Sequence, residues 1–186
     1  MDRKYVVPGF QAWVRESSAP GDNLTLVDYA DHLRKIGRNE EAVWVALDAA
    51  EEDPSHKAYY CLAQAYSAFH KDREAIEAID VAMKIAPKKF SYWGFKCQLL
   101  ASQGNLDGAL FEYFTLMHVI ACTGDEGWRR YVPQARRCIH EDGDSELLDY
   151  EIGVAERYMD LAKSGKPFTG YHWLRGEWRY GLMGGS

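Results

Sequence analysis

No apolar run in the sequence approaches the roughly 18 residues that a membrane span needs. The longest candidates, such as Leu110 to Cys122, are interrupted by Glu112 and His118. The opening residues Met1 to Val7 offer no secretory apolar region, because Pro8 and Gly9 cut the stretch at once. Positive charge is also short: 22 Lys and Arg stand against 28 Asp and Glu, a net charge of −6. An acidic surface repels phosphate backbones and anionic lipid, which argues against nucleic acid and membranes as partners and favours a basic or hydrophobic one. Cysteine is sparse, with no CxxC pair. Cys61, Cys97, Cys122 and Cys138 are expected to be free thiols in a reducing compartment, and the expected localisation is cytoplasmic. No GxSxG, P-loop or HExxH pattern occurs, so the expectation is a protein without enzymatic activity or cofactor.

What is present is enough apolar material for a core, 47 % of residues, and an internal repeat. Ala30, Ala63 and Cys97 are separated by 33 and then 34 residues, and Ala42, Ala75 and Ala109 show the same two spacings. Leu33, Tyr66 and Leu100 follow suit, as do Gly37, His70 and Gly104 where a turn should fall. Pro54 and Pro87 are 33 apart. Each unit reads as two helices. In the middle one, Tyr59, Leu62, Ala63, Tyr66 and Phe69 recur on one helical face, and Ala75, Ile76, Ile79, Ala82 and Met83 on the next. Gly37 and Gly104 can supply the left-handed residue that closes a helix, a conformation His70 must reach with a side chain. The small residues suit close helix crossings, where a larger side chain would force the pair apart.

This pattern resembles the tetratricopeptide repeat, whose 34-residue signature runs from an aromatic through Leu-Gly and Tyr to Ala, Phe and Pro. The middle unit matches best, with Tyr59, Leu62-Ala63, Tyr66, Ala75, Ile79, Ala82 and Pro87. The first supplies Leu26, Tyr29-Ala30, Leu33, Ala42, Ala46, Ala49 and Pro54, and the third Trp93, Cys97, Leu100, Ala109 and Tyr113. The third departs at Lys96, where leucine is usual, at Leu116, where alanine is usual, and at Ala121, where proline is usual. The resemblance covers residues 22–122 and implies an all-α, right-handed superhelical solenoid of three helix pairs. Residues 1–21 would be an N-terminal extension whose Phe10 and Trp13 can pack on the first repeat. Residues 123–165 would be capping helices, and 166–186 an aromatic C-terminal tail. In the cap, Asp125 is expected to start a helix through Trp128 and Tyr131 that Pro133 breaks or kinks. A further helix is expected from about Ser145 to Lys163, with Leu147, Leu148, Val154, Ala155, Tyr158 and Met159 as its apolar side. The tail holds Phe168, Tyr171, Trp173, Trp178 and Tyr180. It can fold back over the last helices, enter the groove or dock on a second chain.

The resemblance also implies that the first helix of each pair lines a concave face. It places Val27, Tyr60 and Gly94 in one row, Asp31, Gln64 and Gln98 in the next, and Lys35, Ala68 and Ser102 in a third. Glutamine can both donate to and accept from a peptide backbone, and Tyr60 adds an aromatic platform. Gly94, costly by about 1 kcal/mol mid-helix, would permit close approach of a ligand. Asp31 would repel a carboxylate, which disfavours the acidic-tail recognition used by some members. The expected function is a protein–protein scaffold, adaptor or chaperone-like, that holds a peptide or helix of a partner. The alternative is a self-assembling subunit, a homo-oligomer joined through the tail. A third reading, an RNA-binding repeat, rests on Arg129, Arg130, Arg136 and Arg137 beside Trp128 and Tyr131, which could stack on bases. The arginines are instead expected to pair with Glu141, Asp142, Asp144 and Glu146. His118, Cys122, Cys138 and His140 have the donor types of a zinc site, but their spacing is unusual and no metal is expected.

Overall fold

In the computed structural model the described residues are 6–17, 24–139 and 145–166, together with the backbone of 171–174 and 177–180. Among them are nine α-helices, one 3-10 helix and a two-stranded ribbon. No helix among the described residues is long and apolar enough to cross a membrane. The chain divides into two compact units, residues 1–92 and 93–186.

The first unit holds α1 (Val6–Ser17), α2 (Leu26–Lys35), α3 (Asn39–Glu52), α4 (His56–Ala68) and α5 (Asp72–Ile85), and ends at the start of α6 (Phe90–Ser102). Capping marks where α2 and α4 begin. Thr25 and Asp28 form a reciprocal box at α2: the Asp28 carboxylate accepts from the Thr25 N–H at 2.8 Å, and the Thr25 hydroxyl accepts from the Asp28 N–H at 3.3 Å. Ser55 caps α4 through the Ala58 N–H at 3.3 Å. The α2–α3 and α4–α5 turns share one construction. Gly37 and His70 have φ of 81° and 58°, and the next residue's N–H reaches back five positions, from Arg38 to the Leu33 carbonyl at 2.9 Å and from Lys71 to that of Tyr66 at 2.9 Å. α2 packs on α3 and α4, α3 on α4, and α4 on α5. The seams are closed by small residues: Ala30, Ala42, Ala46, Ala63, Ala75 and Ala82 are all buried, with Leu33 and Ile79 filling the space between. The extension is itself helical. Pro8 sits in the first turn of α1, where its missing N–H costs nothing. Phe10 and Trp13 meet Tyr29 at ring distances of 5.8 and 5.2 Å.

The second unit continues α6 and adds α7 (Leu106–Ala121), a 3-10 helix (Glu126–Tyr131), α8 (Val132–Cys138) and α9 (Ser145–Lys163). The α6–α7 turn repeats the same construction, with Gly104 at φ 74° and the Asn105 N–H on the Leu100 carbonyl at 3.0 Å. α7 runs 16 residues where α3 and α5 run 14, because Ala121 stands where a proline would have stopped it. The 3-10 helix, α8 and α9 all pack on α7. Trp128 is fully enclosed among a core that includes Leu116, Met117, Ile120 and Leu148. Asp125 starts the cap helix as expected, its carboxylate accepting from the Gly127 N–H at 2.7 Å, and that helix ends at Tyr131, just ahead of Pro133. Pro133 opens α8, again a first-turn position. α9 has the expected bounds, but only Leu148, Ala155 and Met159 of its apolar side are buried, while Leu147 is exposed.

The third helix pair departs from the apolar pattern in a compensated way. Lys96 on α6 and Glu112 on α7 are 8 % and 5 % exposed and sit 2.7 Å apart, so an ion pair occupies positions that are Leu62 and Ala78 one repeat earlier. The tail forms an antiparallel ribbon, β1 (Tyr171–Leu174) with β2 (Glu177–Tyr180), in which Trp173 lies opposite Trp178. The expectations for its side chains fall outside the described residues.

Candidate functional site

Five of the eight residues expected to face a partner surround one hollow in the first unit. Val27, Asp31 and Lys35 reach it from α2, and Tyr60 and Gln64 from α4; Asp28, Arg34, Lys57, Cys61 and Tyr92 complete its wall, and its volume is about 380 Å³. The α2 residues recur at three- and four-residue spacing, as do Lys57, Tyr60, Cys61 and Gln64 on α4, so each helix presents one face to the hollow. The two faces are tied beneath it, where the Cys61 thiol donates to the Val27 carbonyl at 3.6 Å.

Asp31 is not the bare carboxylate the sequence suggested. Arg34 Nη2 lies 2.5 Å from its Oδ1 and Lys35 Nζ 2.6 Å from its Oδ2. Burial raises the Asp31 carboxyl, but the hydrogen bonds from Lys35 and Arg34 outweigh it and hold the group below the usual carboxylate range. With Lys57, three cations line the hollow together with Asp28 and Asp31. Asp31 therefore gives no ground for a repulsive wall, and the reasoning that set aside carboxylate-bearing partners on its account fails.

The aromatic part of the site is a stack. Tyr60 lies on Tyr92 with ring centres 4.5 Å apart and planes 28° from parallel, and the Tyr92 hydroxyl meets His56 Nδ1 at 2.8 Å. Burial raises both phenols, with Arg34 opposing this at Tyr60 and Tyr60 adding to it at Tyr92. Burial likewise pushes the Cys61 thiol up to about 12, Asp31 adding to the effect and Arg34 opposing it. Both hydroxyls and the thiol are thus neutral near pH 7. The Gln64 amide is half-buried, and no described residue bonds it, so its donor and acceptor are both available.

A larger hollow of about 620 Å³ adjoins, sharing Val27, Asp28 and Lys57 and bounded further by Phe10, Glu52 and Asp53. Among its described lining side chains three are acidic and one, Lys57, is basic, so their charge is opposite to that of its neighbour.

The other three expected residues belong to the second unit. Gly94 has its space taken by the chain itself: a Cβ there would meet the Tyr131 ring at 3.3 Å, so the close approach it permits is to Tyr131. The Ser102 hydroxyl is turned back on its own helix, donating to the Leu99 carbonyl at 2.8 Å. Gln98 is exposed and borders a separate hollow with Tyr113, Gln134 and Arg137. The carbonyl of Ala68, in the third expected row, accepts from Asn39 Nδ2 at 2.8 Å.

Sequence reasoning missed Arg34, Lys57 and Tyr92. Arg34 is seven residues after Val27, and Lys57 is three before Tyr60 and seven before Gln64, so helical spacing alone could have found both. Tyr92 carries no such signal, since it arrives from the next helix. The RNA-binding reading loses its platform: Trp128 is fully buried and Tyr131 nearly so, and neither can stack on a base. Arg129 lies over the Trp128 ring and pairs with Glu156 at 3.2 Å, and Arg130 Nε donates to the Gly127 carbonyl at 3.0 Å. The expected partners Glu141, Asp142 and Asp144 lie outside the described residues. All four cysteines are free and buried. His118 faces Glu151, with Nε2 2.7 Å from Oε2, and His140 lies outside the described residues. Among the described residues no cluster of three or more His, Cys, Asp or Glu could hold a metal.

No protein-family model matches the chain, and no curated protein matches it.

Proposed function

We propose that the chain is a tetratricopeptide-like helical repeat that holds a segment of another polypeptide, and that the α2–α4 hollow is where the segment is gripped. The observation that carries this reading is the convergence of Tyr60, stacked on Tyr92, with the unbonded Gln64 amide and the Asp31 cluster in one open concavity. A platform for an apolar or aromatic side chain beside an amide that can pair with backbone is what peptide recognition requires. The acidic hollow next door supports a basic residue in the same segment, since Asp28, Glu52 and Asp53 face it. In this reading α2–α3, α4–α5 and α6–α7 are three pairs of a right-handed solenoid, and the protein serves as an adaptor or chaperone in the cytoplasm. The repeated turn at Gly37, His70 and Gly104 supports the pairing.

The test is selection of binders from a random peptide display library, followed by affinity measurement with the wild type and with Tyr60→Ala/Gln64→Ala. Selected peptides are expected to carry an aromatic or aliphatic residue near a Lys or Arg and to lose roughly tenfold or more in affinity for the variant. Unchanged affinity in a variant with wild-type circular dichroism overturns the assignment.

A second reading, self-assembly through the tail, is favoured by one observation: the β1–β2 ribbon has no third strand among the described residues, and open strand edges are templates for pairing with another chain. Light scattering with and without residues 166–186 separates the two. A full-length monomer at working concentration rules out this reading; a dimer that dissociates on truncation supports it.

A further inference from the structure

The second unit carries a hollow that the reading above does not use. It has a volume of about 270 Å³ and lies among α6, α7 and α8, bounded by Gln98, Leu106, Tyr113, Gln134, Arg137 and Cys138. Among the described residues no acidic one lines it, although the chain as a whole is acidic by six charges. Arg137 is exposed on α8, and its Nε makes a long contact of 3.4 Å to the Pro133 carbonyl. Among the described residues no carboxylate pairs with it, so the guanidinium edge that suits a carboxylate is unspent. The Gln134 amide oxygen is enclosed, with no donor on it among the described residues. Leu106 supplies an aliphatic side.

We propose that this hollow is a binding site for a carboxylate-bearing ligand about one residue long, with Arg137 gripping the carboxylate, Gln98 and Gln134 bonding the adjoining amide, and Leu106 receiving a short apolar side chain.

Size and charge both select this class. A volume near 270 Å³ is just below the roughly 300–1,000 Å³ of sites for drug-sized ligands, so it suits a single terminal residue rather than a folded segment. One guanidinium balances one negative charge; a phosphate, with nearly two, would call for a second cation, which no described residue of the wall offers. The neutral groups agree. Burial pushes the Tyr113 hydroxyl up to about 12, with Cys97 and Cys138 adding to the effect and Arg137 opposing it, so near neutral pH it remains a donor rather than a competing anion. Burial raises the Cys138 thiol as well, with Arg137 again opposing, so it too adds no negative charge.

The same chemistry occurs in a free acylated amino acid and at a polypeptide C-terminus, and the experiment separates them. N-acetyl-leucine, its amide, a pentapeptide ending in free leucine and the same peptide amidated are each titrated into the full chain by calorimetry, with side-chain amide resonances of Gln98 and Gln134 followed by NMR. Both acids are expected to bind and to shift those resonances, and both amides to bind at least about tenfold more weakly. Arg137→Gln is expected to lose a similar factor with an unchanged melting curve, because the side chain is exposed. A pentapeptide acid that binds more tightly than N-acetyl-leucine identifies a chain terminus; equal affinities identify a free small acid. Tyr60→Ala/Gln64→Ala is expected to leave all of this unchanged, which separates the site from the first-unit hollow. Equal binding of acid and amide, wild-type affinity in Arg137→Gln, tighter binding of inorganic phosphate, or no binding of any acid below about 10 mM overturns the proposal.

Discussion

At residue scale the turns give the clearest link from sequence to structure. Three positions in one repeat column, Gly37, His70 and Gly104, take the left-handed conformation, and two of them are glycine. An L side chain pays about 1–2 kcal/mol there, while glycine loses more entropy on folding, so the two effects partly cancel. His70→Gly is therefore expected to stabilise by somewhat under about 1 kcal/mol, and Gly104→Ala to destabilise by about 1 kcal/mol, both read from urea melts. Asp31 has a different signature. Its folded-state carboxyl is held low, so the stability it contributes is present above the ordinary carboxylate range and is lost as pH falls through the folded value. With a third of the side chain exposed, the gain is under about 1 kcal/mol. The difference in stability between wild type and Asp31→Asn should be present at pH 7 and shrink as pH falls below the ordinary carboxylate range, as melts across pH would show. A difference that grows on acidification would contradict the placement of Arg34 and Lys35. The same residue shows what a sequence conceals. Its charge is readable, but its neutralisation depends on where two long side chains settle.

At the scale of elements the helix pairs were legible because periodicity, turn residues and prolines all repeat. Where one of these fails, so does the reading. Ala121 lets α7 run on, and Pro133, read as a breaker, starts α8 because a first turn needs no N–H from it. Trp128 and Tyr131 looked like a stacking platform beside four arginines, yet both are core, which composition alone cannot distinguish from display. Lys96 looked like a lone polar intrusion. Glu112, its partner, lies on the next helix, and pairing them needs the fold. The pair leads to a firm expectation. Lys96→Met leaves a buried carboxylate without its cation and should destabilise by about 3–5 kcal/mol, whereas Lys96→Met with Glu112→Leu should fall within about 1 kcal/mol of wild type or above it. Thermal and urea melts of the three variants check this; additive losses in the double variant would contradict a buried, mutually dependent pair.

At the scale of the whole molecule, the two units carry different chemistry. The first presents a tyrosine stack, an amide that no described residue bonds and a charge cluster; the second presents a small hollow beside Arg137 with no acidic residue among its described lining. The sequence reading gathered Val27, Asp31, Lys35, Tyr60 and Gln64 of the first set through the family resemblance and extended its rows to Gly94, Gln98 and Ser102, which serve other ends: space for Tyr131, the edge of a second hollow and a bond to the α6 backbone. The central claim is that partners are held at the α2–α4 face. It is tested most directly by photo-crosslinking from a benzoylphenylalanine placed at Gln64, with Glu77 on the exposed side of α5 as the control, in the presence of a selected peptide. The account predicts peptide adducts from position 64 and none above background from position 77. Equal adducts from both, or adducts from 77 alone, would contradict it.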